Sequence, residues 1–184
     1  MRILETERLV LRWLGAGDAP FILELVNEPA WLRYIGDRGI RTLEDAQSYI
    51  EKSLVEMYRR LGFGLYLVEL KQSGVPIGIC GLIKRESLEN VDLGFAFLSR
   101  FWAQGYATES ASAVMSYGTK DLGIPRIVAI TSQDNPASAR LLEKLGFRFE
   151  RMAQLTAGAA EVKFYASAPA LSGEGPAAEG GSQA

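Results

Sequence analysis

The chain has 184 residues, 48% hydrophobic and 23% charged, the composition of one globular domain that can bury a core without disulfides or structural metal. Its 20 basic and 22 acidic side chains leave a formal charge of −2, which argues against a basic nucleic-acid or membrane-surface binder. There is no histidine and one cysteine, Cys80, which excludes imidazole bases, Ser-His-Asp and Cys-His nucleophiles, His- or Cys-rich metal sites and an internal disulfide.

The opening Met1-Arg2-Ile3-Leu4-Glu5 turns charged at once and carries no signal-peptide run. Leu9 to Trp13 reads as a strand. Asp18 then offers a helix N-cap, Pro20 suits a first turn, and Phe21, Ile22, Leu25 and Val26 fall at helical spacing before Pro29 ends the run. Trp31 to Ile35 is a further short turn. Thr42 with Asp45 three residues on is a partial capping signal for a helix whose apolar face carries Ala46, Tyr49, Ile50, Leu54 and Met57. Three strands follow, Gly64 to Leu70, Val75 to Lys84 and Val91 to Leu98, and their short links predict an antiparallel meander. The longest apolar run, Ile77 to Ile83, lies here and is far short of the ~18 residues of a membrane helix. Within it Cys80 reads as a small buried hydrophobe.

Ala107, Ala111, Val114, Met115, Gly118 and Leu122 mark a second long helix, and Arg126 to Thr131 a β-branched strand. Pro136 to Leu145 is a short helix stopped by Gly146, after which Phe147 to Leu155 and Val162 to Ser167 close the sheet. The order β-α-α-β-β-β-α-β-α-β-β describes a single-domain α/β fold with a mixed sheet, not a repeating βαβ unit. Residues 1–168 form that domain. Of the last sixteen residues, Pro169 to Ala184, twelve are Gly, Pro, Ala or Ser, which predicts a disordered tail.

Two segments carry chemistry. In the first, Phe97 to Glu109, a strand gives way to a loop and then to a helix starting near Gly105. Ala103, Gly105 and Ala107 let a ligand approach the backbone, and free N–H groups at a helix start attract phosphate. The loop lacks both the Gly-Lys-Ser/Thr ending of a phosphate-binding P-loop and the Gly-x-Gly-x-x-Gly of a dinucleotide site. Taken alone it also reads as ordinary helix packing. In the second, Ser132 to Phe147, Asn135 stands just before Pro136. An N-cap role explains it, and its amide can also pair with the amides of an extended ligand.

In this order and about thirty residues apart, the two segments resemble the acyl-CoA-binding motifs of the GNAT N-acetyltransferase superfamily. Trp102 to Ala107 is similar to its (Gln/Arg)-x-x-Gly-x-(Gly/Ala) loop, and Asn135 to Phe147 to its Asn-x-x-(Ala/Ser)…Glu-Lys-x-Gly-Phe helix. The opening Glu5 to Arg12, followed by Asp18-Ala19, resembles the Rim-type branch, the ribosomal-protein N-terminal acetyltransferases. An aromatic residue at Trp102 also suits that branch.

The resemblance implies a mostly antiparallel central sheet, flanked by helices and splayed between its fourth and fifth predicted strands, Val91–Leu98 and Arg126–Thr131. It implies acetyl-CoA as cosubstrate. The pyrophosphate would lie on the Ala103, Gln104, Gly105, Tyr106, Ala107 and Thr108 loop, and the pantetheine arm against Phe97 and Leu98 like an added strand. Asn135 and Ser138 would contact the arm from the other side, with Arg100, Arg140 and Lys144 near the phosphates. Many relatives place a Tyr proton donor where this chain has Leu142, which excludes that acid. Branch relatives carry a Ser at the position of Ser138, so the resemblance makes it the acid expected, with water as the alternative. Asp92 is the base expected, ahead of Glu69 and of Glu109, which more naturally supports its own helix start. Trp31, Tyr34 and Tyr49 lie in the segment that lines the acceptor groove in relatives, and equally suit the core.

The expectation is a cytoplasmic acetyltransferase without metal, membrane or nucleic-acid partner, monomeric or homodimeric, acting on a protein N-terminal α-amine. The alternatives are a small-molecule amine (amino acid, polyamine or antibiotic) and a non-catalytic acyl-CoA sensor.

Overall fold

The computed structural model describes residues 1–168; the expected tail, 169–184, lies outside the described residues. The strands are β1 (Arg2–Glu5), β2 (Leu9–Arg12), β3 (Leu65–Leu70), β4 (Pro76–Ile83), β5 (Val91–Phe97), β6 (Ile127–Ser132), β7 (Arg148–Ala153) and β8 (Val162–Ala166). The helices are α1 (Ala19–Val26), α2 (Pro29–Tyr34), α3 (Leu43–Tyr49), α4 (Glu56–Leu61), α5 (Tyr106–Lys120) and α6 (Pro136–Lys144). The described strands form one sheet in the order β1-β2-β3-β4-β5-β6-β8-β7. Every pair is antiparallel except β5 with β6.

The meander is present as β3-β4-β5, with Tyr66 opposite Cys80 and Cys80 opposite Phe95. Alternation along β2 and β4 sends Leu9, Leu11, Ile77 and Ile79 inward, where they are fully buried with Leu67, Leu82 and Leu98. Cys80 is in this core, and burial pushes its thiol up to about 12, so it is an inert space-filler.

Three local readings change, and two features, β1 and the order of the last two strands, go beyond the sequence reading. β1 adds a strand at the front, paired to β2 with Glu5 opposite Val10; four half-exposed polar and apolar residues gave it no visible period. Pro29 both ends α1 and begins α2, occupying a first-turn position where its missing N–H costs nothing. Asp18 does not cap α1; its carboxylate accepts from the Gly15 N–H and from Arg12. Between α3 and α4, residues Ile50–Val55 form a wide π-helical turn, so the buried face runs Ala46, Ile50, Leu54, Tyr58 and leaves Met57 half-buried. Lastly β8, not β7, lies beside β6, and β7 becomes the sheet edge with Phe149 exposed.

The Thr42 capping box is formed: the Asp45 N–H donates to Thr42 Oγ1 at 3.1 Å and the Thr42 N–H to Asp45 Oδ2 at 3.0 Å. Among the described residues no helix is long and apolar enough to cross a membrane.

Candidate active site

β5 and β6 pair only at Val91–Ile127 and Asp92–Val128. Beyond that point β5 stays with β4 as far as Phe97, and β6 stays with β8 as far as Ser132. Each strand is held on its outer side, so the gap between them opens as the expected splay. A cleft of about 600 Å³ occupies it and continues beneath α2 and α3. The Leu98 N–H donates to the Ile77 carbonyl at 3.0 Å. Strand alternation therefore turns the backbones of Phe95 and Phe97 toward the open side. The Trp102 indole N–H occupies the Phe97 carbonyl at 2.8 Å and leaves the Phe95 groups and the Phe97 N–H free.

The phosphate-sized end of the cleft is the start of α5. Gly105 has φ +83° and Ala103 φ +59°, a tight left-handed entry that favours glycine at the cap. The first helical bond runs from the Glu109 N–H to the Gly105 carbonyl at 3.0 Å, so the Tyr106, Ala107 and Thr108 N–H groups have no partner one turn back. A Ser or Asp cap would occupy one of them; glycine leaves all three for an anion.

Arg8 holds this loop from behind. Its Nε donates to Glu109 Oε2 at 2.7 Å, its Nη1 donates to the Gln104 carbonyl at 3.0 Å, and its guanidinium lies 4.6 Å over the Tyr106 ring. Glu109 also accepts from Thr6 Oγ1 at 2.6 Å and the Arg8 N–H at 2.9 Å. Burial opposes its charge, but these bonds prevail and keep the carboxyl below its ordinary value. Glu109 is thus a clamp between the β1–β2 turn and α5. Glu69 is likewise committed, accepting from Arg12 at 2.9 and 2.7 Å.

Across the cleft, Asn135 Oδ1 accepts from the Ser138 N–H at 3.1 Å and caps α6. Its NH₂ has no partner among the described residues, so the cap and the ligand-facing role use opposite ends of one amide. Ser138, Arg140, Leu141 and Lys144 follow it along the cleft wall.

Asp92 is the only acidic residue of the described lining and is 1% exposed. Arg85 Nε donates to its Oδ2 at 2.6 Å, while Oδ1 is buried without a partner. Burial raises the carboxyl to about 6 against the pull of Arg85 and, more weakly, of the Ile130 N–H on β6. Such a group is ionised at neutral pH yet titrates within reach of it, a combination that suits proton transfer. Trp31, Tyr34 and Tyr49 form the aromatic wall of this end, so they serve cleft and core together.

One cleft thus gathers Asp92, Phe97, Ala103, Gly105, Tyr106, Ala107, Thr108, Asn135 and Ser138. Three residues expected at the cosubstrate are not among the described cleft lining. Leu98 turns its N–H to Ile77 and its side chain into the core, because it has the opposite strand parity to Phe97. Gln104 folds its side chain back to donate to the Arg100 carbonyl at 3.2 Å. Arg100, expected near phosphates, pairs instead with Glu24 on α1. Sequence reading missed Arg38, Arg85 and the β6 residues Ile130 to Ser132. For Arg85 a signal existed: Ile83 opposite Asp92 in the β4–β5 hairpin places Arg85 beside that carboxylate.

Residues 8–148 match the family model described as an acetyltransferase (GNAT) domain. The uncharacterised N-acetyltransferase YoaA of Bacillus subtilis is 34% identical over 150 residues, covering 80% of this chain and 84% of that protein. The crystal structure of a GNAT-family acetyltransferase from Bacillus anthracis superposes with TM-score 0.73 at 26% identity, covering 90% of this chain and 97% of the other. RimL, a ribosomal L7/L12 alpha-N-protein acetyltransferase solved with coenzyme A, shares the fold with TM-score 0.76 at 21% identity, covering 90% of this chain and 97% of the other.

Proposed function

The chain belongs to the GNAT acetyltransferase family, and from that membership we propose that it acetylates the α-amine at the N-terminus of a protein, with Asp92 as general base and Ser138 as proton donor. It is an N-acetyltransferase that uses acetyl-CoA, which supplies an activated acetyl group when bound. The cleft fits that cosubstrate. The uncapped Tyr106, Ala107 and Thr108 amides, with Arg140 and Lys144 nearby, suit its phosphates. The free backbone groups of Phe95 and Phe97, facing the Asn135 NH₂ across the splay, suit an extended amide-bearing arm. The same free N–H groups suit developing negative charge on a carbonyl oxygen.

The observation that carries the reading is Asp92, held through one oxygen by Arg85 with the other oxygen unpartnered. A base titrating near 6 is weak, so it serves an amine that is already neutral in substantial part. At pH 7.5 about a third of an α-amine of pKa 7.7–8.0 is neutral, against about a thousandth of a lysine amine at 10.4. The Rim-type resemblance of Glu5 to Arg12 and of Trp102 supports a protein N-terminus, a ribosomal one being the kind that branch modifies. Ser138, on the α6 wall, delivers a proton from its hydroxyl on the side of the cleft away from Asp92's strand.

The test is thiol release from acetyl-CoA, with N-terminal peptides in one set and polyamines and side-chain amines in another. Release driven by peptides through their α-amine is expected. Release with polyamines or side-chain amines alone would overturn the α-amine assignment.

A further inference from the structure

We propose that the acceptor carries a carboxylate close to its reacting α-amine, and that Arg38, together with the free end of the Arg85 guanidinium, receives it. The proposal rests on the reading of this cleft as the transferase site and adds the chemical class of the acceptor.

Four cationic side chains line the cleft among the described residues, Arg38, Arg85, Arg140 and Lys144. Arg140 and Lys144 stand on α6, along the cosubstrate's wall. Arg38 and Arg85 stand at the Tyr49 ring, where Arg85 also holds Asp92, and Trp31 and Tyr34 line the same cleft. Arg85 uses its Nε on Asp92, and its two terminal nitrogens make no hydrogen bond among the described residues. The neighbours of Arg38 on the α2–α3 segment are committed: Arg33 pairs with Asp134 at 3.0 Å and Arg41 with Asp37 at 2.5 Å. Arg38 itself has neither an ion pair nor a hydrogen bond among the described residues, and its guanidinium lies 5.9 Å from the centre of the Tyr49 ring.

The two guanidiniums flank one phenol. Burial pushes the Tyr49 hydroxyl up, and Arg38 and Arg85 both pull it back. Asp92 neutralises one of the two cations, which leaves this end with a net positive charge. The same wall holds a second uncommitted donor, the Trp31 indole N–H, buried without a protein partner. A net positive charge, with Asp92 as its one carboxylate among the described lining residues, disfavours a polyamine and suits a carboxylate, which Arg binds through a planar fork. An α-amine reaching Asp92 while its carboxylate reaches Arg38 places both groups of an aminocarboxylate in one pocket. The carboxylate comes either from an acidic residue at a peptide N-terminus or from a free amino acid.

The experiment uses matched pairs that differ in charge alone. A peptide beginning with Asp is compared with the same peptide beginning with Asn, and a free amino acid with its α-amide. Each kcat/KM is divided by the neutral-amine fraction. A preference of about ten- to hundredfold for the carboxylate is expected in one of the pairs, through KM. The peptide pair names a polypeptide source and the amino-acid pair a small-molecule one. Arg38→Ala should collapse the ratio toward one, Arg38→Lys should retain part of it, and Arg38→Glu should invert it. Equal rates within both pairs, or better turnover of spermidine, would overturn the proposal and leave the transferase reading standing. A preference that survives Arg38→Ala would overturn the role of Arg38. No release with any amine would overturn the transferase reading and this proposal together.

Discussion

Asp92→Asn removes the ionisable group from the cleft and keeps its shape. Burial raises this carboxyl from its ordinary value of 3.8 to about 6, so at pH 7 about nine-tenths of it is still ionised. For the wild type, kcat/KM for thiol release should therefore rise with pH through about 6 as Asp92 loses its proton. It should rise again near 8 as the α-amine does. In the Asn variant the lower limb disappears and only the amine limb remains. A positioned base contributes about 10²–10⁴-fold, so the rate at pH 7.5 should fall at least a hundredfold. Coenzyme affinity should hold, because the α5 amides and α6 side chains are untouched. Stability provides a second readout with a defined sign. A carboxyl with a raised folded pKa keeps its proton where the unfolded chain has lost it, so its contribution declines as pH rises from about 4 to about 6. The rise corresponds to roughly 3 kcal/mol. Wild-type Tm should decline across that window relative to Asp92→Asn, which lacks the titrating group. An Asn variant with the wild-type rate and an intact lower limb would refute Asp92 as the base.

Gly105→Val forces a β-branched residue into φ +83°, at a cost of about 1–2 kcal/mol, and sets its Cβ 3.2 Å from an Arg8 nitrogen. Calorimetry should show coenzyme A affinity falling more than tenfold with only a modest drop in Tm; undiminished binding would move the phosphates away from the α5 amides. Glu109→Gln keeps the size of the clamp but removes the charge that Arg8 and Thr6 address. Urea unfolding should register a loss of about 1–2 kcal/mol, with no change in the pH limb assigned to Asp92.

The parts legible in the sequence were those written in contiguous residues. The loop from Ala103 to Thr108 and the helix from Asn135 to Lys144 each carry their own geometry, because a backbone turn and an N-cap are decided within a few residues. The meander was legible for the same reason, through short links and alternation. What the sequence hid depended on partners distant along the chain. β1 is a strand because β2 accepts it, the π-helical turn at Ile50–Val55 resets a helical face by one position, and β8 displaces β7 from the interior of the sheet. The single step of strand parity that turns Leu98 from the open edge, and the fold of the Gln104 side chain back on its own loop, were also hidden. Arg8, distant in sequence from α5, gave no sign of being its brace.

The two sides of the cleft around Asp92 differ in how they are built. One strand, β5, carries both Asp92, the base proposed, and the open backbone edge at Phe95 and Phe97, and the β4 register fixes their separation. The proposal therefore puts proton transfer and cosubstrate binding on one ladder. The opposite wall comes from a separate segment, α2 through α3, and presents Trp31, Tyr34, Arg38 and Tyr49 to the same space. Substitutions on that segment alter the charge and shape offered to the acceptor without moving Asp92 or the α5 amides. On the proposed reading the cosubstrate is held by short local motifs, whereas acceptor choice falls to side chains such as Arg38 that those motifs do not contain.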